Sequence, residues 1–312
     1  MITRRSLIFS FIYAKISYSS FQYQSIHTHK QLKSRTKMDH RDEFFLNASF
    51  TIFSGSALTN YNSNTFPTYL TKLQQYLKIV FESTPEASTS NYLPIQVKHK
   101  HWEYNYEGRQ YSIKMVYIRY METLHRFCII TRQTKRPDPE CVVFSNASAE
   151  VLEVFRYSLL NLFGCSTVPI TISKTIMLGL YEKYISLNAN LAEYQDSEIL
   201  FDTDTSSNGK LKTLTIGVTG SDVPNFLKIA ESGNLSLSEI VMTHVEDLTG
   251  FNSEEVSVYR INCGGFILMR RGKLKLFNEP VWTMHNGKNL WMVILSIFED
   301  VTKVRPVDTT PS

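Results

Sequence analysis

The chain has little of what would announce chemistry. Four cysteines occur in 312 residues, Cys128, Cys141, Cys165 and Cys263, and no two of them form a CxxC pair. That spacing indicates neither a zinc site nor a disulfide framework, and it fits reduced thiols in a cytosolic or nuclear protein. Long apolar runs are missing too. The stretch Leu7–Ala14 is far short of the roughly 20 residues a membrane helix needs, so the sequence predicts a soluble protein with no membrane contact. There is no GxxxxGK[ST] loop, no GxGxxG opening a helix, no HExxH and no GxSxG elbow. The motif-borne routes to phosphate, dinucleotide, zinc and acyl-transfer chemistry are therefore closed. We expect no catalytic residue, no cofactor and no metal.

Acidic residues are absent from residues 1–37, which hold Arg4, Arg5, Lys15, Lys30, Lys33, Arg35 and Lys37. This Ser-rich, acid-free leader has the composition of a mitochondrial transit peptide. The competing reading starts translation at Met38, where Asp39, Asp42 and Glu43 change the composition sharply. Without the leader, 26 basic residues face 29 acidic ones. The body is no polycation, and its overall charge makes no case for nucleic acid.

What the chain does have is apolar and aromatic residues. Hydrophobic content is 43% with nineteen Phe and seventeen Tyr, which suits strands and partner surfaces better than a helical bundle. Phe44–Phe53 reads as a strand. Phe66, Tyr69, Leu70, Leu73, Leu77 and Val80 follow the helical period and predict a helix over 66–81. A polar loop at 82–91 leads to three strand-like runs, Ile95–Tyr104, Gln110–Tyr120 and His125–Arg132, with Glu107-Gly108 as a hairpin turn. Thr134–Glu140 is a Pro-containing loop and Cys141–Phe144 a short strand. A helix over 148–163 follows, capped by Asn146 or Ser148 and stopped by Gly164. Pro169–Ile172 is extended and Lys174–Leu187 helical, while Asp202–Lys210 is a loop and Leu211–Val218 a strand. Helices then cover Asp222–Glu231 and Ser236–Thr249. Phe266–Arg270 and Lys273–Phe277 form a hairpin around Arg271-Gly272, and a last helix spans 287–301. The predicted fold class is α+β, an antiparallel sheet or sheets with helices on one face. Behind the leader 1–37, the expected organisation is one α+β half over 38–165 and another over 166–312.

Three clusters raise the question of a site. Cys263-Gly264-Gly265 puts a thiol on a flexible segment, but a nucleophile needs a base or a helix N-terminus beside it, and this cysteine precedes a strand. A structural role is expected. Within Lys98-His99-Lys100-His101, alternation puts the two lysines on one side and the two histidines on the other. No carboxylate accompanies the histidines, so we read Lys98 and Lys100 as a small basic patch for DNA or another anion. Arg270, Arg271, Lys273 and Lys275 put four cations in six residues around the last hairpin, as edge protection or as a strip facing phosphate. A two-stranded hairpin is marginal unless something covers its apolar face. Phe266, Leu268, Leu274, Leu276 and Phe277 are therefore the candidate partner contacts, with Leu214 and Ile216 of the strand 211–218 next.

The order of these elements resembles the centromere protein L family. The features are an aromatic start with Ile52-Phe53-Ser54, the helix Thr68–Val80, a middle sheet, the helix ending Leu159-Leu160-Asn161-Leu162-Phe163-Gly164-Cys165, the strand Leu211–Val218, the hairpin Phe266–Phe277 and the helix Leu290–Phe298. The resemblance implies a non-enzymatic inner-kinetochore subunit of the nucleus. It would pair with a centromere protein N-like partner inside the constitutive centromere-associated network, and meet centromeric DNA or nucleosomes through that assembly. The leader 1–37 has no counterpart in the pattern, and the loop 82–91 looks longer than the pattern needs. Competing readings are a mitochondrial matrix protein or enzyme with a cleaved presequence, and a binding protein that forms a homodimer when alone.

Overall fold

The computed structural model describes residues 13–15, 42–59, 61, 65–82, 95–120, 122–133, 140–189, 194–203, 213–250, 256–283 and 287–303. Apart from 13–15, the leader lies outside them, as do loop residues 83–91, 134–139 and 204–210. The described chain is α+β, with antiparallel ladders throughout its sheets. It divides into two units, the first of residues 1–47, 173–270 and 275–293, the second of residues 48–172, 271–274 and 294–312.

In the second unit, β2 (Ser49–Gly55), β6 (Cys141–Asn146), β5 (Thr123–Arg132), β4 (Arg109–Tyr120) and β3 (Gln96–Tyr106) lie side by side in that order, and β7 (Thr167–Pro169) pairs with β2. Glu107 and Gly108 both take positive φ, 49° and 73°, as the predicted two-residue turn requires. On one sheet face, Val116, Ile118, Phe127, Ile129 and Val143 meet α1 (Thr65–Glu82) and α2 (Ala149–Phe163). Phe127 stacks on Phe155 with centroids 3.9 Å apart. Val80, which the helical period puts on the inner stripe of α1, is instead 47% exposed, and Phe81 takes the inner place. Ser148 occupies the N-cap of α2 without a side-chain bond, and Gly164 closes the helix at φ 62°. The opposite sheet face is covered at Tyr111 by Phe298, from the later part of α7 (Lys288–Lys303).

In the first unit, β1 (Tyr13–Lys15), β9 (Thr213–Val218), β8 (Ser197–Thr203), β10 (Val256–Asn262), β11 (Phe266–Met269) and β12 (Lys273–Leu276) follow one another in the sheet. The division between units runs through β12. Helices α3 (Lys174–Asn188), α4 (Val223–Gly233) and α5 (Leu237–Thr249) belong to this unit, with the short α6 (Pro280–Thr283). A reciprocal Ser236–Glu239 capping box starts α5, satisfying two otherwise orphaned backbone donors. The sequence reading differs in further places. Its strand 44–53 is a 3-10 turn over Asp42–Phe44, a positive φ of 57° at Asn47 and only then β2. Strands β8 and β10 are not among its elements.

Candidate interaction surface

The hairpin β11–β12 carries most of the residues singled out in the sequence. Gly272 sits at φ 68° in its turn, and the Phe277 N–H donates to the Gly265 carbonyl at 2.9 Å. That bond sets Phe266 opposite Leu276, with Ile267 and Lys275 on the other side. Along β11 Leu268 follows Phe266 and Met269 follows Ile267, and along β12 Leu274 shares the side of Leu276 and Lys273 that of Lys275.

The inner side is already covered by the chain itself. Tyr184 of α3 meets the Phe266 ring edge-on at 5.6 Å, and Trp282 of α6 lies 5.5 Å from Tyr184. The Trp282 Nε1–H donates to the Gly265 carbonyl at 3.0 Å. Phe266, Leu268, Leu274 and Leu276 are at most 1% exposed, and Leu214 and Ile216 are equally buried within β9. These six side chains, expected as partner contacts, belong to the core of the chain itself. Phe277 is half-buried, with the Lys275 ammonium 5.1 Å from its ring centroid.

The outer side is a mixed basic and apolar surface. Lys273 and Arg271 are exposed, while Arg270, Lys275, Ile267 and Met269 are half-buried. Arg260 of β10 stands opposite Met269 and pairs with Glu198 at 3.9 Å. Sequence reasoning missed Arg260, because β10 was not recognised as the neighbouring strand.

Lys98 and Lys100 lie on β3, in the second unit, both exposed. Lys98 faces Tyr117, which faces Arg126, and Gln96 faces Arg119. The two lysines thus share a sheet face with two arginines that only the strand register reveals. His99 and His101 point the other way. His99 meets the Phe66 ring at 5.9 Å, and His101 Nε2 is 3.2 Å from the Ser112 hydroxyl. His125 Nδ1 accepts the Ser148 N–H at 3.3 Å, at the start of α2. Burial lowers the His101 and His125 pKa values. Among the described residues no group of three His, Cys, Asp or Glu gathers as a metal site. Cys263 is buried, its thiol pushed up to about 12 by desolvation and bonded to the Phe266 carbonyl at 3.5 Å. That environment disfavours the reactive thiolate. No described helix is long and apolar enough to cross a membrane.

Among known families, the profile described as Centromere protein L matches residues 142–303, just over half of the chain. The matched stretch runs from β6 to the end of α7 and contains the whole hairpin. No curated protein matches the chain.

Proposed function

Because the chain belongs to the centromere protein L family, and with it to the kinetochore, we propose that it is a non-enzymatic inner-kinetochore subunit that pairs with a centromere protein N-like protein. In this role it supports kinetochore assembly and chromosome segregation. The family match across 142–303 carries the reading. The match lends no support to the mitochondrial alternative.

The hairpin supports a more specific version. Its inner side is spent on the core, so the partner meets the outer side, where half-buried Ile267, Met269 and Phe277 interleave with Lys273 and Lys275. Apolar anchors with a basic rim suit a protein interface. Lys273, Lys275, Arg270 and Arg271, and separately Lys98 and Lys100, are the phosphate-facing cations of the assembled complex.

Co-expression with the centromere protein N-like partner, followed by light scattering, tests the pairing. The expected particle is a one-to-one heterodimer. A chain that stays a monomer or only self-associates in the partner's presence overturns it. Met269→Glu should weaken co-purification while leaving the far-UV spectrum unchanged, and undiminished capture would take the outer side out of the interface. If Lys273 and Lys275 meet phosphate in the complex, replacing both by Gln should flatten the log–log salt dependence of DNA binding by about 0.9 per lost contact.

A further inference from the structure

We propose that Cys141 and Cys165 form a dithiol that closes into a reversible disulfide, a modification site inside the second unit. Cys141 opens β6, and Cys165 follows Gly164, the cap of α2. They lie 24 residues apart in sequence, and their Sγ atoms are 3.6 Å apart, which is van der Waals contact. The Ser56 carbonyl accepts from both thiols, at 3.3 Å from Cys165 and 4.0 Å from Cys141.

The pocket for the two sulfurs exists because β2 has no side chain at Gly55. A Cβ there would fall 2.2 Å from the Cys141 sulfur and 3.0 Å from that of Cys165. Closure to a bond of about 2.05 Å needs an approach of roughly 1.5 Å. The other two cysteines are placed differently. Cys128 faces Met115 and Phe144 on the opposite sheet face, and Cys263 belongs to the first unit.

The oxidant is a hydroperoxide, with hydrogen peroxide the simplest. One sulfur attacks the peroxide, so that an S–O bond forms, the O–O bond breaks and the first water leaves with a transferred proton. The second sulfur then displaces hydroxide from the sulfenic acid. The S–S bond forms, the S–O bond breaks and a second water departs, so two thiols are oxidised as one peroxide is reduced. Both thiols are buried, at 0% and 1% exposure, and oxidation therefore proceeds through local opening. The product ties the start of β6 to the segment behind α2. In a reducing nucleus such a bond is transient, the behaviour of redox-sensing pairs.

The test is native-state oxidation of the full chain with hydrogen peroxide, followed by intact mass and peptide mapping. The expected result is a loss of about 2 Da, reversed by dithiothreitol, with the peptides of Cys141 and Cys165 linked. The oxidised chain should melt about 5 °C or more above the reduced one, and Cys165→Ser should remove both effects. Peptide mapping of the unmutated chain decides the matter even if that variant folds poorly. Oxygen addition in steps of about 16 Da without a link overturns the proposal. So does a bridge to Cys128 or Cys263, or a link that forms only in urea.

Discussion

Two charged side chains of the second unit are withdrawn from water by opposite means. Glu299 is held by ion pairs to Arg109 and Arg132 and accepts from the Tyr111 hydroxyl at 2.5 Å. Desolvation, with the Glu299 bond second, pushes Tyr111 up to about 12. Arg109 is 47% exposed and Arg132 32%, so water screens the first pair more. Glu299→Gln should destabilise by about 1–2 kcal/mol because the Tyr111 hydroxyl and two partly exposed arginines lose their charged acceptor. Arg132→Ala should cost more than Arg109→Ala, and urea midpoints would rank the three. Lys114 is 3% exposed, with its ammonium 5.0 Å and 5.1 Å from the centroids of Tyr61 and Phe66 and 3.3 Å from the Ser112 hydroxyl. Desolvation brings its pKa down to about 8 from 10.5, against a smaller upward pull from Glu103. The unfolded chain therefore holds this proton more tightly. The resulting penalty is full below pH 8 and fades as the pH rises from about 8 to 10.5. Lys114→Met should stabilise the protein at pH 7, and its advantage over the unmutated chain should shrink by about 1 kcal/mol at pH 9. Comparing the two proteins at each pH cancels the buried tyrosines, whose raised pKa values act in the opposite direction above pH 10. An advantage that does not change with pH would mean that Lys114 is not titrating there.

At the scale of elements, the two hairpin turns separate conformational strain from crowding. Gly108 and Gly272 both have positive φ, at 73° and 68°. A Cβ on Gly108 would meet nothing within 4 Å, whereas one on Gly272 would lie 2.7 Å from Ile170 Cγ1 and 3.0 Å from the Ile170 carbonyl. Gly108→Ala should cost about 1 kcal/mol, the left-handed penalty alone, and Gly272→Ala clearly more, as thermal melts of the pair would show. The Glu107-Gly108 turn was legible in the sequence because glycine marks positive φ. At the second turn Gly272 was legible for the same reason, but the expected two-residue turn Arg271-Gly272 is a three-residue loop over 270–272, because β11 ends at Met269 and β12 begins at Lys273. The stop of α2 at Gly164 and the period of α1 were legible for equally local reasons. The strands β8 and β10 were not. β8 buries Ile199, Leu200 and Phe201 in succession, which erases alternation. β10 shifts register between Val258 and Arg260, and a bulge breaks the period of two. The candidate site was legible to the same degree. Alternation correctly grouped Leu274 with Leu276 and Lys273 with Lys275, but a period of two cannot say which side the rest of the chain will cover. That information lies in Tyr184 and Trp282, far away in sequence. Leu276→Asp should therefore unfold the hairpin, losing near-UV signal as well as partner capture, where the outward Met269→Glu affects capture alone.

At the scale of the molecule, the stretch that carries the family match is not a folding unit. Residues 142–303 include nearly all of β6, and α2 and β7 with it. The neighbours of β6 on both sides, β2 and β5, lie before residue 142. The apolar face of α2 packs on Phe127 and Ile129 of β5 and on Tyr69 and Leu73 of α1, all outside the match. Taken alone, the fragment would expose the Phe155 ring that stacks on Phe127, and would leave both ladder edges of β6 unpaired, a combination that favours aggregation. The later part of α7 would likewise lose Tyr111, Arg109 and Arg132 as partners for Phe298 and Glu299. A chain spanning 42–303 keeps every one of these contacts. It should give a dispersed amide spectrum and a single cooperative melt, while 142–303 should aggregate or show poor dispersion. A well-dispersed spectrum from the shorter fragment would mean that β6 and α2 need neither β5 nor α1. The second unit's core would then have to be held together by something other than the stacking and ladder contacts described above.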